Sequence, residues 1–157
     1  MSYLMEVYRM KKTIVLLAAA ATLWMVPSWA NAETGPTAEI MALERKAMDG
    51  WAEGNPDPQM AITGAGITCF HAVVENRLDG VAAVKALYEP FRGMPLFDSY
   101  EMRNPKVQEL GEVAVLTYQL VRHVGSAVTI WNGTQVYQKQ KEGWRVVHTH
   151  WSEAKAQ

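Results

Sequence analysis

The pattern of apolar and polar positions changes period near the middle of the chain. Between Thr37 and Glu53 the apolar residues Ile40, Leu43, Ala47 and Trp51 recur on one face of a helix. Pro36 suits its start and Gly54 its stop. Asn55-Pro56-Asp57-Pro58 forces a break, and Gln59 to Thr63 can add a short helical turn. Gly66 to Val74 reads as a strand. Arg77-Leu78-Asp79-Gly80 is a turn, with Asp79 placed to cap a helix from Val81 to about Phe91. The apolar face of that helix is Val81, Val84, Leu87, Tyr88 and Phe91.

After Pro95 the period becomes two. Ser99 to Glu109 is a strand interrupted by Asn104-Pro105. Proline has no ladder donor, so this strand lies at an edge or carries a bulge. Val113 to Val124 and Ala127 to Gln140 are long strands, joined by Gly125-Ser126. A last strand runs from Gly143 to Ser152. Alternation puts Trp144, Val146, His148, His150 and Ser152 on one of its faces, and Arg145, Val147, Thr149 and Trp151 on the other. Neither is an ordinary solvated face, so both are expected to be covered, one by helices and one by a second subunit. Helices come first and hairpins last, which is the α+β order: a long bent antiparallel sheet with helices on one face.

The segment before Thr37 does not belong to this pattern. Met10-Lys11-Lys12 is a basic start. Thr13 to Val26 is apolar apart from its threonines, and Ala30-Asn31-Ala32 is a small-x-small site. That is the layout of a secretory signal peptide, with Met10 favoured as its start. The apolar run is shorter than the ~20 residues that a spanning helix needs. Residues 1–32 are therefore expected to be cleaved. Residues 33–157 form one domain in a secreted or periplasmic protein, with no membrane contact after cleavage. One cysteine, Cys69, cannot form an internal disulfide and reads as a buried small hydrophobe. A net charge of −1 gives no electrostatic case for nucleic acid.

Four stretches resemble the nuclear transport factor 2-like (cystatin-like) superfamily, whose fold is a cone-shaped α+β barrel. Within it they resemble the association domain of calcium/calmodulin-dependent protein kinase II and its bacterial SnoaL-like relatives. The stretches are Asp79-Gly80, Asn104-Pro105-Lys106-Val107 with Leu110-Gly111, Trp131 to Tyr137, and the closing Gly143 to Ser152. The resemblance covers roughly Thr37 to Ser152. It implies helices on the concave face of the sheet, a homodimer or higher oligomer, and a pocket. Arginines line that pocket in the kinase. Two of their positions fall here at Gln135 and Trp151, and the third at Gln119 or Leu120. None is arginine, so a neutral or aromatic ligand is expected. No kinase motif is present, and kinase activity does not carry over.

Trp51, Tyr88, Trp131, Tyr137 and Trp151, with Gln119, Gln135 and Thr149, are the residues expected to bind that ligand. His71 is the candidate for acid–base chemistry, with Glu75 a weaker one; Asp98 and Glu101 are expected at the rim. His148 and His150 form an H-x-H pair that could hold a metal only with further ligands; packing at a subunit contact is the plainer account. Arg122 and Arg145 are expected at the surface or in rim ion pairs. No cofactor is expected. The function expected is an exported, oligomeric, non-catalytic small-molecule-binding domain. A small lyase, isomerase or cyclase using His71 is the alternative, and a pure assembly module a third.

Overall fold

A computed structural model describes residues 35–154. Residues 1–32, with the expected signal peptide, lie outside them. Helix α1 spans Pro36–Ala52. It starts on Pro36 and ends before Gly54, whose φ of 69° places it in the left-handed region that glycine tolerates. Its buried residues are Ile40, Glu44, Ala47, Met48, Gly50 and Trp51. The short helix α2, Asp57–Ile62, leads directly into strand β1, Thr63–His71. A two-residue strand β2, Leu78–Asp79, precedes helix α3, Val81–Tyr88, which ends in a 3-10 turn, Glu89–Phe91. The meander follows: β3 Ser99–Leu110, β4 Val113–Val124, β5 Ala127–Gln140 and β6 Gly143–Glu153.

The six strands form one sheet in the order β2-β1-β6-β5-β4-β3. The meander is antiparallel, whereas β1 runs parallel to β6. Parallel strands need a long crossover, and here the whole meander supplies it. α1, α3 and the inner sheet face share one core, with Ile40, Ala47, Val84, Leu116, Tyr137 and Val146 fully buried.

Two bulges shape the sheet. On β3 the pairing moves from Arg103↔Gln119 to Lys106↔Thr117, and Asn104 sits in the interruption at φ 51°. Pro105 lies there too, in an edge strand, where its missing N–H costs no ladder bond. On β6, Val136 pairs with His148 but Tyr137 pairs with Val146, so Val147 is the extra residue. This corrects the parity expected for β6. Unbroken alternation would put Trp144 and Val146 beside the histidines. The bulge instead brings them to the inner face with Thr149 and Trp151, and all four are buried.

Candidate functional site

A cavity of about 280 Å³ opens between the helices and one end of the sheet. α1 contributes Met48 and Trp51, α2 Gln59, and α3 Leu87 and Tyr88; β1 ends in it at His71. The wall opposite comes from register. Leu120 pairs with Trp131, and Trp151 lies between Gly133 and His71. Gly133 is required by its neighbour: a Cβ there would stand 2.6 Å from the Trp151 ring. The Trp51 and Tyr88 rings meet edge to face at 4.9 Å. Such a concave, mostly apolar space with few polar groups is the usual form of a small-molecule site.

Of the residues expected to bind ligand, Trp51, Tyr88, Trp131 and Trp151 line the cavity, as does His71. Gln119 does not. It faces the outer side of β4 toward Asn132, because alternation turns its neighbours Tyr118 and Leu120 inward. Gln135, Tyr137 and Thr149 point inward but lie outside the cavity lining, around a group that pattern reading missed.

That group is Glu44, which is fully buried. Its carboxyl accepts from Tyr118 at 2.6 Å, from the Gln135 amide at 3.1 Å, and from the Tyr137 hydroxyl. Burial pushes its pKa up, and the three hydrogen bonds offset part of that rise. Gln135 Oε1, and Oγ1 of its strand partner Thr149, have no partner among the described residues. Tyr118 packs edge to face on Trp151, so the Glu44 cluster stands one ring behind the cavity. The signal was in the sequence: Glu44 follows Ile40 by four positions and precedes Met48 by four, placing a carboxylate within the apolar stripe.

Arg122 also departs from expectation. It is half-buried and lines the cavity, two residues beyond Leu120 on the same inward face. Its guanidinium lies 4.4 Å from the centroid of the Trp131 ring, and its Nε donates to Thr129 Oγ1 at 3.2 Å. Burial pulls the pKa of His71 down, and the charge of Arg122 adds to that, so the imidazole is neutral at pH 7. Burial also pushes the Cys69 thiol up to about 11, which leaves it inert.

On the outer face, His148 Nδ1 and Thr68 Oγ1 are 2.7 Å apart, and Phe70 packs against both His148 and His150. Among the described residues no three His, Cys, Asp or Glu side chains are grouped to hold a metal. Glu75, Asp98 and Glu101 are exposed. Asp98 accepts the backbone N–H of Gly125 at 2.6 Å. Arg145, partly buried, donates to the carbonyl of its neighbour Trp144.

The profile of the calcium/calmodulin dependent protein kinase II association domain matches residues 36–155. The chain belongs to that family. Solved structures agree on its nuclear transport factor 2-like fold. A candidate ketosteroid isomerase from Parabacteroides distasonis is 27% identical, covers 81% of this chain and 93% of its own, and has a TM-score of 0.70. The kinase hub of S. rosetta is 24% identical over 77% of this chain and 98% of its own, with a TM-score of 0.64. The association domain of the C. elegans kinase is 19% identical over 74% of this chain and 94% of its own, also at 0.64. The two kinase structures bear on the fold alone. A search of curated proteins finds no match. The association-domain fold therefore accounts for the helices and the meander.

Proposed function

We propose that this protein is an exported, self-associating domain that binds a small, largely apolar or aromatic molecule in the cavity, without catalysis. The observation that carries the binding is the cavity wall itself. Trp51, Tyr88, Trp131 and Trp151 converge from four different elements on one space of about 280 Å³. A domain that serves only to assemble would fill that space with its own side chains. Self-association is supported by membership of an association-domain family and by the outer sheet face, where Phe70 is 45% exposed between two histidines. Export is supported by the basic, apolar and small-residue order of residues 1–32.

The non-catalytic reading is supported by the cavity's titratable groups. Among the described residues that line it, His71 is the one imidazole and no carboxyl is present, Glu44 included; burial holds the His71 pKa below its ordinary value. General acid–base chemistry asks for a proton donor and acceptor on the reacting atoms.

Calorimetric titration with a panel of one- and two-ring compounds tests the binding. Wild type should bind at least one, and Trp151→Ala should weaken it by roughly 10-fold, or ~1.4 kcal/mol. If no compound binds, or if Trp151→Ala binds unchanged, the assembly-module account replaces this one.

A further inference from the structure

We propose that His148 and His150, on the outer face of the sheet, form half of a divalent metal site of the zinc class, and that a second copy of this chain supplies the other half. The inference rests on the self-association reading above and adds what the two outer faces hold between them.

His148 and His150 are two positions apart on β6, so they share a face and their backbones stand ~6.6 Å apart. Phe70 lies against both rings, at 6.1 Å and 5.9 Å. Thr68 stands beside His148 on β1, and its Oγ1 is 2.7 Å from His148 Nδ1. When Nδ1–H donates to that hydroxyl, the Nε2 lone pair is left for a metal. A histidine ligand ordinarily has such a partner on its other nitrogen, which fixes its tautomer and its ring. Desolvation, His150 and Arg77 lower the pKa of His148, so its ring is neutral at pH 7, the form that ligates. His150 is exposed.

The neighbours leave the pair free to ligate. Its partners across the adjoining strands are Thr68, Phe70, Thr134 and Val136, none of them charged. Arg77 is the nearby cation, and its guanidinium is committed to Asp79 at 2.7 Å and 3.2 Å. Cys69 faces the core at 0% exposure, so no thiolate joins the pair. Among the described residues no third His, Cys, Asp or Glu is grouped with them. One copy therefore supplies two ligands, whereas structural zinc takes four in a tetrahedron. A two-fold contact is isologous: the patch that carries one pair meets the same patch on the partner. Two pairs make four nitrogen ligands, and the half-exposed Phe70 of each copy is covered in the same contact. Ligation by imidazole alone suits Zn2+, with Cu2+ and Ni2+ as competitors, and not the oxygen-seeking Mg2+ or Ca2+.

Sedimentation of chelator-stripped protein at pH 7.5, in EDTA, in Zn2+ and in Mg2+, tests this. Zn2+ should lower the dissociation constant of the assembly at least ~10-fold relative to EDTA, and Mg2+ should leave it unchanged. Calorimetric titration should give one Zn2+ for every two chains. His148→Ala and His150→Ala should each remove the zinc response. Thr68→Val should weaken zinc binding by about 10-fold with both ligands still in place, a loss that histidines packed only for structure would not show. Thermal melts check that the variants fold, and the wild-type stoichiometry and the Thr68→Val affinity decide where a histidine variant does not. Equal assembly in EDTA and in Zn2+, with no zinc bound, would overturn the proposal and leave self-association standing. So would one Zn2+ per chain, or a zinc response that survives both histidine variants. A monomer under every condition would overturn both.

Discussion

At the scale of single residues, Glu44 is the least conventional feature of the chain. A carboxyl buried at 0% exposure, with tyrosine and glutamine donors around it and no basic partner among its hydrogen bonds, is held against its preference for water. Its folded pKa is raised above its ordinary value near 4.5, burial being the dominant cause. The folded state therefore holds this proton more tightly than the unfolded chain does. Stability from Glu44 is fully present below about pH 4.5 and is lost as pH rises through its folded value. Glu44→Gln removes that proton while keeping the shape; the amide oxygen can accept from one tyrosine hydroxyl and the NH2 can donate to the other. Urea midpoints at pH 5 and pH 8 measure the effect. Relative to wild type, Glu44→Gln should gain stability at pH 8 compared with pH 5, by ~1.4 kcal/mol for each unit of upward shift. A difference between Glu44→Gln and wild type that stays flat from pH 5 to pH 8 would mean that the three donors offset desolvation and the carboxylate is ionised in the fold.

At the scale of elements, the inner face of β6 depends on two local devices. The bulge at Val147 puts Trp144 and Val146 on the same side as Thr149 and Trp151. The missing side chain at Gly133 on β5 lets the Trp151 indole lie flat across the neighbouring strand. Gly133→Ala would place a methyl 2.6 Å from Cζ3 and 2.7 Å from Cη2 of that indole. Overpacking of this kind costs about 1–3 kcal/mol. The cost should fall by more than half in a Trp151→Ala background, where the ring is gone, and a double-mutant cycle of denaturation midpoints reads this directly. Additive single costs would show that the ring moves aside freely and that Gly133 does not fix the cavity wall.

At the scale of the whole molecule, the outer face of the sheet remains to be covered. Phe70, His148 and His150 cluster there, and the pKa of His148 is lowered by desolvation, by His150 and by Arg77. If two copies meet on this face, further burial disfavours the charged imidazole, and protonation opposes assembly. Sedimentation at micromolar concentration should show a dimer or larger species at pH 7.5 and a shift toward smaller species at about pH 5.5. The same protein, recovered from the cell envelope, should have the intact mass of a chain beginning at Glu33. A monomer at pH 7.5 would remove the self-association reading, and a mass that retains residues 10–32 would remove the cleavage reading.

The hydrophobic period by itself determined the long elements, while β1 begins at Thr63 rather than Gly66 and the expected turn at Leu78-Asp79 is the short strand β2. Strands β4 and β5 have the bounds that alternation assigns them, Val113–Val124 and Ala127–Gln140, because glycine turns fence a strict two-residue repeat. The resemblance of the closing strand likewise reached the family, since Gly143 to Ser152 is a long, ordered motif. Local pattern could not reach what depends on pairing between distant residues. The parallel pairing of β1 with β6 joins residues 80 or more positions apart. The extra residue in β6 is identified only by its partners on β5, so alternation ran straight through it. Of the two positions the resemblance left open, Leu120 faces the cavity and Gln119 does not, and Arg122 shares the Leu120 face. Which face of β4 is concave is fixed by where α1 packs, and no period within β4 states it. Glu44 lay in plain view on the α1 stripe, but its meaning required Tyr118, Gln135 and Tyr137, which only the sheet brings beside it.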